Sequence, residues 1–315
     1  MTAEPPKPAR VWLPPESPAA FADAIRRGGG EVVGPADANV LFPYGYPSPT
    51  DEQVRYLRSL LTDAVEWVQL QPAGVEDWFA LELVDDRRLW TSSAGAYAVA
   101  VAEHVLALLL AAAKRLAECA RVDRWRRAEL QGAQFAGSTV GIVGAGGIGR
   151  EIIRRLEPFD VRVVASTRSG AEVPGAARSL ASEDLDELLT VSDYAVLCAP
   201  LTPETRGLIG ARELDLLGPA GVLVNVARGA LVDTDALVAA LRDGRLGGAF
   251  LDVTEPEPLP EGHPLWSESR VLITPHVANT RAQLEAALVR RVEQNVARFV
   301  AGEPLLGTVD RASGY

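Results

Sequence analysis

The chain has 315 residues, of which 48% are apolar and 23% charged, a composition typical of a globular protein with room for two domains. Its net charge of −11 argues against a nucleic-acid partner, because no basic stripe is available to neutralise phosphates. The most apolar run, residues 105–113, is too short to span a bilayer, and the N-terminus has no apolar signal segment. Cys119 and Cys198 fit no disulfide or metal spacing. We therefore predict a cytoplasmic protein with no metal and no membrane partner.

The first 93 residues alternate short apolar strands with helices, which predicts a parallel sheet. The turn Pro72-Ala73-Gly74-Val75 follows a strand end, where open α/β sheets bind ligands. Thr50 is predicted to cap the second helix. The predicted strands cover residues 11–13, 32–33, 40–42, 67–70 and 89–91, and the predicted helices cover 18–27 and 51–61.

A long helix is predicted from residue 98 to about 117, with apolar residues on nearly every face. Such a helix must be buried on several sides. We interpret it as a connection between two units that packs partly against a second subunit in a symmetric dimer. A single buried helix of a monomer is the alternative. His104, which lies on this apolar helix, is interpreted as a packing residue.

Residues 139–168 are predicted to form a strand, a glycine turn, a helix and a second strand. Gly144, Gly146 and Gly149 have the spacing G-x-G-x-x-G. In this motif the first glycine permits a tight turn, the second admits a pyrophosphate, and the third lets helix and strand touch. The helix N-terminus offers its N–H groups to phosphates. Between two strands, the motif predicts dinucleotide binding, and a glycine-rich turn that binds nothing is the alternative.

Four further strands are predicted at residues 193–198, 221–225, 248–253 and 271–274, with a capped helix at 234–242. The strand ends fall at Pro200, at residues 226–228, at Asp252 and at His276. In a doubly wound sheet all these ends line one crevice, opposite a dinucleotide. The last helix, from residue 279 or 280 to about 301, is expected to return to the first unit, with the active site between the two domains.

A dinucleotide crevice favours hydride transfer, for which the protein supplies a proton donor and an anchor for an anionic substrate. His276 is the natural acid or base, and a neighbouring carboxylate would hold its tautomer and favour imidazolium. Glu257 and Glu255 are the two candidates for that carboxylate. Arg228 has the geometry to grip a substrate carboxylate. A lone histidine at a strand end is usually structural, and an isolated arginine is more often a surface charge or part of a salt bridge. The convergence of His276, Glu257 and Arg228 on one crevice favours the catalytic interpretation.

Several segments resemble the D-isomer-specific 2-hydroxyacid dehydrogenase family: AVAVAEHVLALLLAAAKR, TVGIVGAGGIGREI, CAPLTPETRGLIG, LVNVARGALVDTDALVAALRDGRLGGAFLDVTEPEPLP and LITPHVANT. The resemblance implies an α/β protein of two Rossmann-like domains. One is a flavodoxin-like substrate domain split in sequence, 1–93 plus 285–315, and the other is a doubly wound NAD(P)-binding domain over 94–284. It also implies a homodimer formed through the cofactor domains.

The resemblance implies roles for single residues. The family's catalytic arginine, glutamate and histidine fall on Arg228, Glu257 and His276, which selects Glu257 over Glu255. Asp252 matches the residue that holds the nicotinamide amide. The residues expected to bind the substrate are Ala73, Gly74, Arg228 and His276. Those expected to bind the dinucleotide are Gly144, Gly146, Gly147, Ile148, Gly149, Thr167, Arg168, Pro200, Thr205, Val226, Ala227, Arg228, Asp252 and His276.

The chain departs from the family pattern after the second strand of the cofactor domain. NAD-dependent members usually carry an aspartate there, but this chain has Ser166-Thr167-Arg168-Ser169. Losing the carboxylate removes repulsion against a 2′-phosphate, and Arg168 can pair with one. We therefore expect NADP(H) to be favoured, with NAD(H) a possible cofactor; the alternative is that Arg168 stacks on adenine and both bind. Cys198 replaces a common histidine and receives no role.

The function predicted is reduction of a small 2-keto acid such as glyoxylate or hydroxypyruvate, with reverse oxidation of the D-2-hydroxy acid. A dinucleotide-sensing binding protein on the same fold is the alternative. Formate dehydrogenases usually have glutamine at the position of Glu257, which argues against that activity. The substrate side-chain pocket is expected around Tyr44, Tyr46, residues 72–75, and Tyr97 or Trp266.

Overall fold

A computed structural model describes residues 8–311 and Gly314. These residues form two compact units, divided after Tyr97 and after Thr280. The first unit contains the described residues up to Tyr97 and those from Arg281 onward, and the second contains Ala98–Thr280.

The elements of the chain up to Tyr97 match the predicted alternation. Thr50 caps the helix Asp51–Leu60 as predicted, since its Oγ1 accepts a hydrogen bond from the Gln53 N–H and the Gln53 side chain accepts one from the Thr50 N–H. The short helix Glu76–Ala80 was not predicted. The elements are β1 (Arg10–Trp12), α1 (Ala19–Arg27), β2 (Glu31–Val32), β3 (Val40–Leu41), α2 (Asp51–Leu60), β4 (Trp67–Gln69), α3 (Glu76–Ala80) and β5 (Leu89–Thr91).

The second unit contains the glycine motif between the strand Thr139–Val143 and the helix Gly147–Leu156, as predicted. Its elements are α4 (Ala98–Ala113), α5 (Leu116–Cys119), β6 (Thr139–Val143), α6 (Gly147–Leu156), β7 (Arg162–Thr167), β8 (Arg178–Ala181), α7 (Leu185–Thr190), β9 (Tyr194–Leu197), α8 (Ala211–Leu217), β10 (Val222–Asn225), α9 (Thr234–Arg242), β11 (Gly248–Leu251), α10 (Pro264–Ser267) and β12 (Val271–Ile273). The chain then returns to the first unit as α11 (Arg281–Ala301). Short 3-10 turns lie at Pro35–Asp37, Glu157–Phe159, Ser182–Asp184 and Gly229–Leu231.

Both sheets are parallel, with the strand orders that the family resemblance implies. The first has the order β2-β1-β3-β4-β5, which is flavodoxin-like. The second has the order β12-β11-β10-β9-β6-β7-β8, a doubly wound sheet whose direction of growth reverses between β6 and β9. The predicted α/β fold class is confirmed. Ligands of such sheets bind at the carboxyl ends of the strands near this reversal.

The predicted length of the connecting helix is wrong, because α4 ends at Ala113 rather than near residue 117. Arg115 adopts a left-handed backbone with φ +53°, and a separate short helix, α5, follows it. The Ala113 carbonyl at the end of α4 accepts a hydrogen bond at 2.7 Å from the Ala133 N–H, which belongs to the segment returning along the helix. The helix end is therefore satisfied by tertiary contact instead of by another turn.

Helix α11 lies on α1 and completes the core of the first unit. Leu288, Val292 and Val296 of α11 are buried in one cluster with Phe21 and Ile25 of α1. Their spacing of about one helical turn produces the apolar stripe that faces the sheet. No helix within residues 8–311 is both long and apolar enough to span a membrane.

Candidate active site

The carboxyl ends of five neighbouring strands in the second sheet lie level with each other. Val143 pairs with Leu197, Leu197 with Asn225, Asn225 with Leu251, and Leu251 with Ile273. The segments that follow these residues therefore leave the sheet at one edge. Those segments carry the glycine motif, residues 198–205, Arg228, Asp252 and His276.

The glycine motif has one position that is open and two that are crowded. Gly144 has φ +92°, and a Cβ there would lie 2.7 Å from backbone atoms of Ala199. A Cβ on Gly149 would lie 2.8 Å from the Gly144 carbonyl, whereas one on Gly146 would meet nothing within 4 Å. Gly146 and Gly147 are exposed at the start of α6, which has no side-chain cap. The exposed start of the helix and the open position fit a pyrophosphate.

Beyond the glycine motif, Arg168 lies near the loop that carries Glu204. Arg168 is exposed directly after β7, next to the half-buried Thr167. A hydrogen bond with Thr202 lowers the pKa of Glu204, and the charge of Arg168 lowers that pKa further. The loop itself is held by Thr205, whose hydroxyl donates to the Pro200 carbonyl at 2.7 Å and accepts from the Thr202 N–H at 2.8 Å.

Arg228 lies in a turn that the buried Asn225 side chain fixes from both sides. Asn225 Oδ1 accepts from the Ala227 N–H at 3.0 Å, and its Nδ2 donates to the Arg228 carbonyl at 2.8 Å. The Arg228 guanidinium donates to the Ala227 carbonyl at 2.8 Å, and the residue is half-buried. A Cβ on Gly229 would lie 1.9 Å from the Thr254 carbonyl, so only glycine allows this turn to touch the segment after β11. Val226, at the start of the turn, is buried.

His276 contacts Glu257 at the end of β12. The distance between His276 Nδ1 and Glu257 Oε1 is 2.6 Å, and the two side chains are 50% and 42% exposed. His276 has a left-handed backbone with φ +52°, and its N–H donates to the carbonyls of Asp252 and Thr274. With Nδ1 on the carboxylate, Nε2 is the ring nitrogen that remains for another partner.

Asp252 is almost completely buried and holds the segment that carries His276. Its Oδ1 accepts from the Thr274 hydroxyl at 2.6 Å and from the Val277 N–H at 2.9 Å, and its Oδ2 accepts from the Ala278 N–H at 3.0 Å. A buried carboxylate is stable only with such donors. A cavity of about 310 Å³ adjoins His276, with Trp266 and Leu259 among its apolar walls.

The interpretation of His104 as a packing residue is incomplete. His104 Nε2 lies 2.9 Å from Thr274 Oγ1 and 3.4 Å from Asp252 Oδ1. A sequence signal for this was present, since an imidazole on a largely apolar helix needs a polar partner when it is buried. The partner could not be identified from the sequence because it lies 170 residues away.

The predicted carboxylate-binding turn lies in the other unit. The Pro72 carbonyl accepts from the Ser93 N–H at 2.9 Å, and the Gln71 carbonyl accepts from the Tyr97 hydroxyl at 2.8 Å. Burial raises the pKa of Tyr97, which keeps this hydroxyl protonated. Within the described residues the N–H groups of Ala73-Gly74 donate no hydrogen bond, so they remain available to an anion.

Cys198 adds no reactive group to the candidate active site. Cys198 is partly accessible as a residue, but burial around its sulfur raises the pKa of the thiol to about 12. Among residues 8–311 no group of three or more histidines, cysteines or carboxylates is placed to hold a metal ion.

Comparison with known proteins shows the family. A family model described as "D-isomer specific 2-hydroxyacid dehydrogenase, NAD binding domain" matches residues 106–278. The chain is 39% identical over 263 residues to an uncharacterised protein of Corynebacterium melassecola, which covers 81% of this chain and 85% of that protein. It is 38% identical over 216 residues to the glyoxylate reductase of Thermococcus gammatolerans, with 65% of this chain and 64% of that protein covered.

Two solved structures are similar to this chain over nearly its whole length. A D-isomer-specific 2-hydroxyacid dehydrogenase of Xanthobacter autotrophicus, in complex with NADPH and MES, has a TM-score of 0.83 at 29% identity, covering 98% of this chain and 99% of that one. An NADPH-dependent glyoxylate/hydroxypyruvate reductase of Sinorhizobium meliloti has a TM-score of 0.78 at 28% identity, covering 98% and 100%. The binding-protein alternative receives no support from these relatives. The chain belongs to the D-isomer-specific 2-hydroxyacid dehydrogenase family and is an NAD(P)-dependent oxidoreductase.

Proposed function

We propose that this protein reduces a small 2-keto acid with NADPH, and that it oxidises the corresponding D-2-hydroxy acid in the reverse direction. The observation that carries the proposal is the contact of 2.6 Å between His276 and Glu257, at the same sheet edge as Arg228 and the glycine motif. The names of the glyoxylate and hydroxypyruvate reductases among its relatives support a short substrate side chain.

The residues at the sheet edge fit a dinucleotide. The pyrophosphate would lie on the N-terminus of α6, over the open position at Gly146. Arg168, exposed after β7, would pair with a 2′-phosphate, which favours NADP(H) over NAD(H) without excluding the latter. Asp252 would face the nicotinamide amide. When bound, the nicotinamide supplies the hydride for reduction or accepts it in the reverse direction.

The chain's own residues would then bind the keto acid and move one proton. Arg228 and the N–H groups of Ala73-Gly74 hold the substrate carboxylate, and Arg228 also polarises the carbonyl. His276 donates its Nε2 proton to the carbonyl oxygen while the hydride adds to the carbon, which yields the 2-hydroxy acid. Glu257 holds Nδ1 and stabilises the imidazolium before the transfer.

The test is oxidation of NADPH, and separately of NADH, by a panel of glyoxylate, hydroxypyruvate, pyruvate and one aromatic 2-keto acid. We expect turnover with at least one short member and a higher kcat/KM with NADPH. Binding of NADPH without turnover of any member, in a correctly folded protein, would contradict a reductase and favour a dinucleotide sensor. A clear preference for NADH would contradict the role of Arg168.

We also propose that the second unit is the dinucleotide-binding domain, that the first is the substrate domain, and that two copies assemble through their second units. Large apolar side chains exposed on that unit support the assembly: Val99 is 53% exposed, Leu116 51% and Trp125 91%. A cytoplasmic location stays a prediction that fits two free cysteines. The expected lack of a nucleic-acid partner also stays a prediction.

A further inference from the structure

The side chains of Thr274 and Asp252 connect His104 to the loop that carries His276. His104 lies on α4, and its side chain is 19% exposed. Its Nε2 lies 2.9 Å from Thr274 Oγ1, and Thr274 Oγ1 lies 2.6 Å from Asp252 Oδ1. These three groups form a chain of hydrogen bonds that connects the helix to the ends of β11 and β12.

The direction of each hydrogen bond in this chain follows from its chemistry. An ionised carboxylate only accepts hydrogen bonds, so the single hydroxyl proton of Thr274 goes to Asp252. Thr274 must then accept from His104, and therefore Nε2 of His104 carries a hydrogen. Nε2 of His104 also lies 3.4 Å from Asp252 Oδ1, and a hydrogen on this nitrogen favours the buried negative charge.

We propose that His104 is a positioning residue for hydride transfer. Its N–H fixes the Thr274 hydroxyl and the Asp252 carboxylate. Asp252 then holds the N–H groups of Val277 and Ala278, the two residues directly after the position where His276 adopts its left-handed backbone. Such a backbone persists only where the surrounding contacts determine it. This inference rests on the proposed function, because it assigns His104 to the geometry of the proton donor.

The test compares variants that keep or remove the donor. His104→Leu keeps most of the side-chain volume and loses the N–H; we expect kcat to fall and the Kd of NADPH to rise, each by about 10- to 100-fold, the range for loss of a hydrogen bond that serves a charged group. His104→Gln can place an N–H near the position of Nε2 and should recover most of both losses. Leu106→Ala, a packing loss on the same helix at a half-buried position, should change neither.

A double variant distinguishes a positioning role of His104 from a general contribution of this residue to protein stability. If His104 acts through the Thr274 hydroxyl, His104→Leu should cause no further loss of kcat in a Thr274→Val background. Multiplicative losses, or a His104→Gln variant no better than His104→Leu, would overturn the proposal. Nitrogen NMR of histidine-labelled wild-type protein gives an independent check that needs no variant: a proton on Nε2 of His104 is expected, and its absence would overturn the assignment.

These outcomes are distinct from a failure of the proposed function. If no 2-keto acid is turned over by the wild-type protein, the reductase activity fails whatever His104 does. The NADPH dissociation constants and the NMR spectrum would still decide whether His104 orders Asp252.

Discussion

The His276 and Glu257 side chains are both about half exposed, so their pairing depends on the backbone that presents them rather than on burial. We expect His276→Ala to lower kcat about 100-fold or more, the usual contribution of a general acid, while the variant still binds NADPH. Glu257→Gln should cost less, since the amide oxygen can still accept from Nδ1. Steady-state kinetics and NADPH fluorescence titration measure both effects. Turnover of His276→Ala within about tenfold of wild type, roughly 1.4 kcal/mol of barrier, would exclude His276 as the acid.

Substitutions of Arg168 and of Glu204 are expected to change the KM for NADPH in opposite directions. Arg168→Ala should raise the KM for NADPH about tenfold or more and leave the KM for NADH almost unchanged, since only the 2′-phosphate gains from the guanidinium. Glu204 lies near enough to feel the charge of Arg168, so Glu204→Gln removes a negative charge from the same region and should lower the KM for NADPH. Equal effects of either variant on both cofactors would contradict the assignment.

Cys198 should resist alkylation in the folded protein. Its thiol pKa of about 12 lies above the ordinary value, so at pH 8 only about one thiol in ten thousand is ionised. In the unfolded chain the thiol ionises near pH 8.5, so between about 8.5 and 12 this group favours unfolding as the pH rises. Peptide mass spectrometry after iodoacetamide treatment at pH 8 should show labelled Cys198 only in the denatured control. Fast labelling of the native protein would contradict a buried thiol.

At the level of elements, the glycine turn before α6 contains one glycine that is needed for stability and another that is expected to matter for NADPH binding. Gly149→Ala places a methyl group 2.8 Å from the Gly144 carbonyl, and we expect it to lower the free energy of unfolding by about 1–3 kcal/mol. Gly146→Ala meets nothing within 4 Å, so it should leave the Tm unchanged and weaken NADPH binding. Thermal melts with and without NADPH distinguish the two. A large loss of Tm in Gly146→Ala would contradict the open position.

Elements with strong periodicity or apolar runs could be predicted from the sequence, and those that depend on distant partners could not. The strand of residues 139–143 and the Thr50 cap follow from local pattern. Strand β8 lacks an apolar run and forms because its backbone pairs with β7, for example Ser179 with Ala165. The end of α4 at Ala113 depends on Ala133, twenty residues later.

The candidate site, too, could be predicted only in part from the sequence. The positions of Arg228 and His276 at the sheet edge could be predicted from the sequence, because each follows a recognisable strand. The network of Asp252, Thr274 and His104 could not, since the sequence does not state which helix lies beneath which strand end.

At the level of the whole molecule, the assembly of two copies can be tested directly. Leu116 and Trp125 are large, apolar and exposed, and burying them in an interface would release ordered water. We expect sedimentation velocity to show a dimer, and Leu116→Glu combined with Trp125→Glu to shift it toward a monomer with an unchanged circular dichroism spectrum. A monomeric wild-type protein would contradict the proposed assembly.

The return of α11 to the first unit also affects synthesis of the chain. Phe21 and Ile25 of α1 are buried together with Leu288 and Val292 of α11, which a ribosome produces more than 250 residues later, on the order of tens of seconds at typical elongation rates. The second unit, by contrast, is continuous from Ala98 to Thr280 and is complete before α11 emerges. During that interval α1 lacks its contacts with α11, and part of its apolar face stays uncovered. Nascent chains stalled before α11 are therefore the form of this protein in which chaperone binding would be most needed.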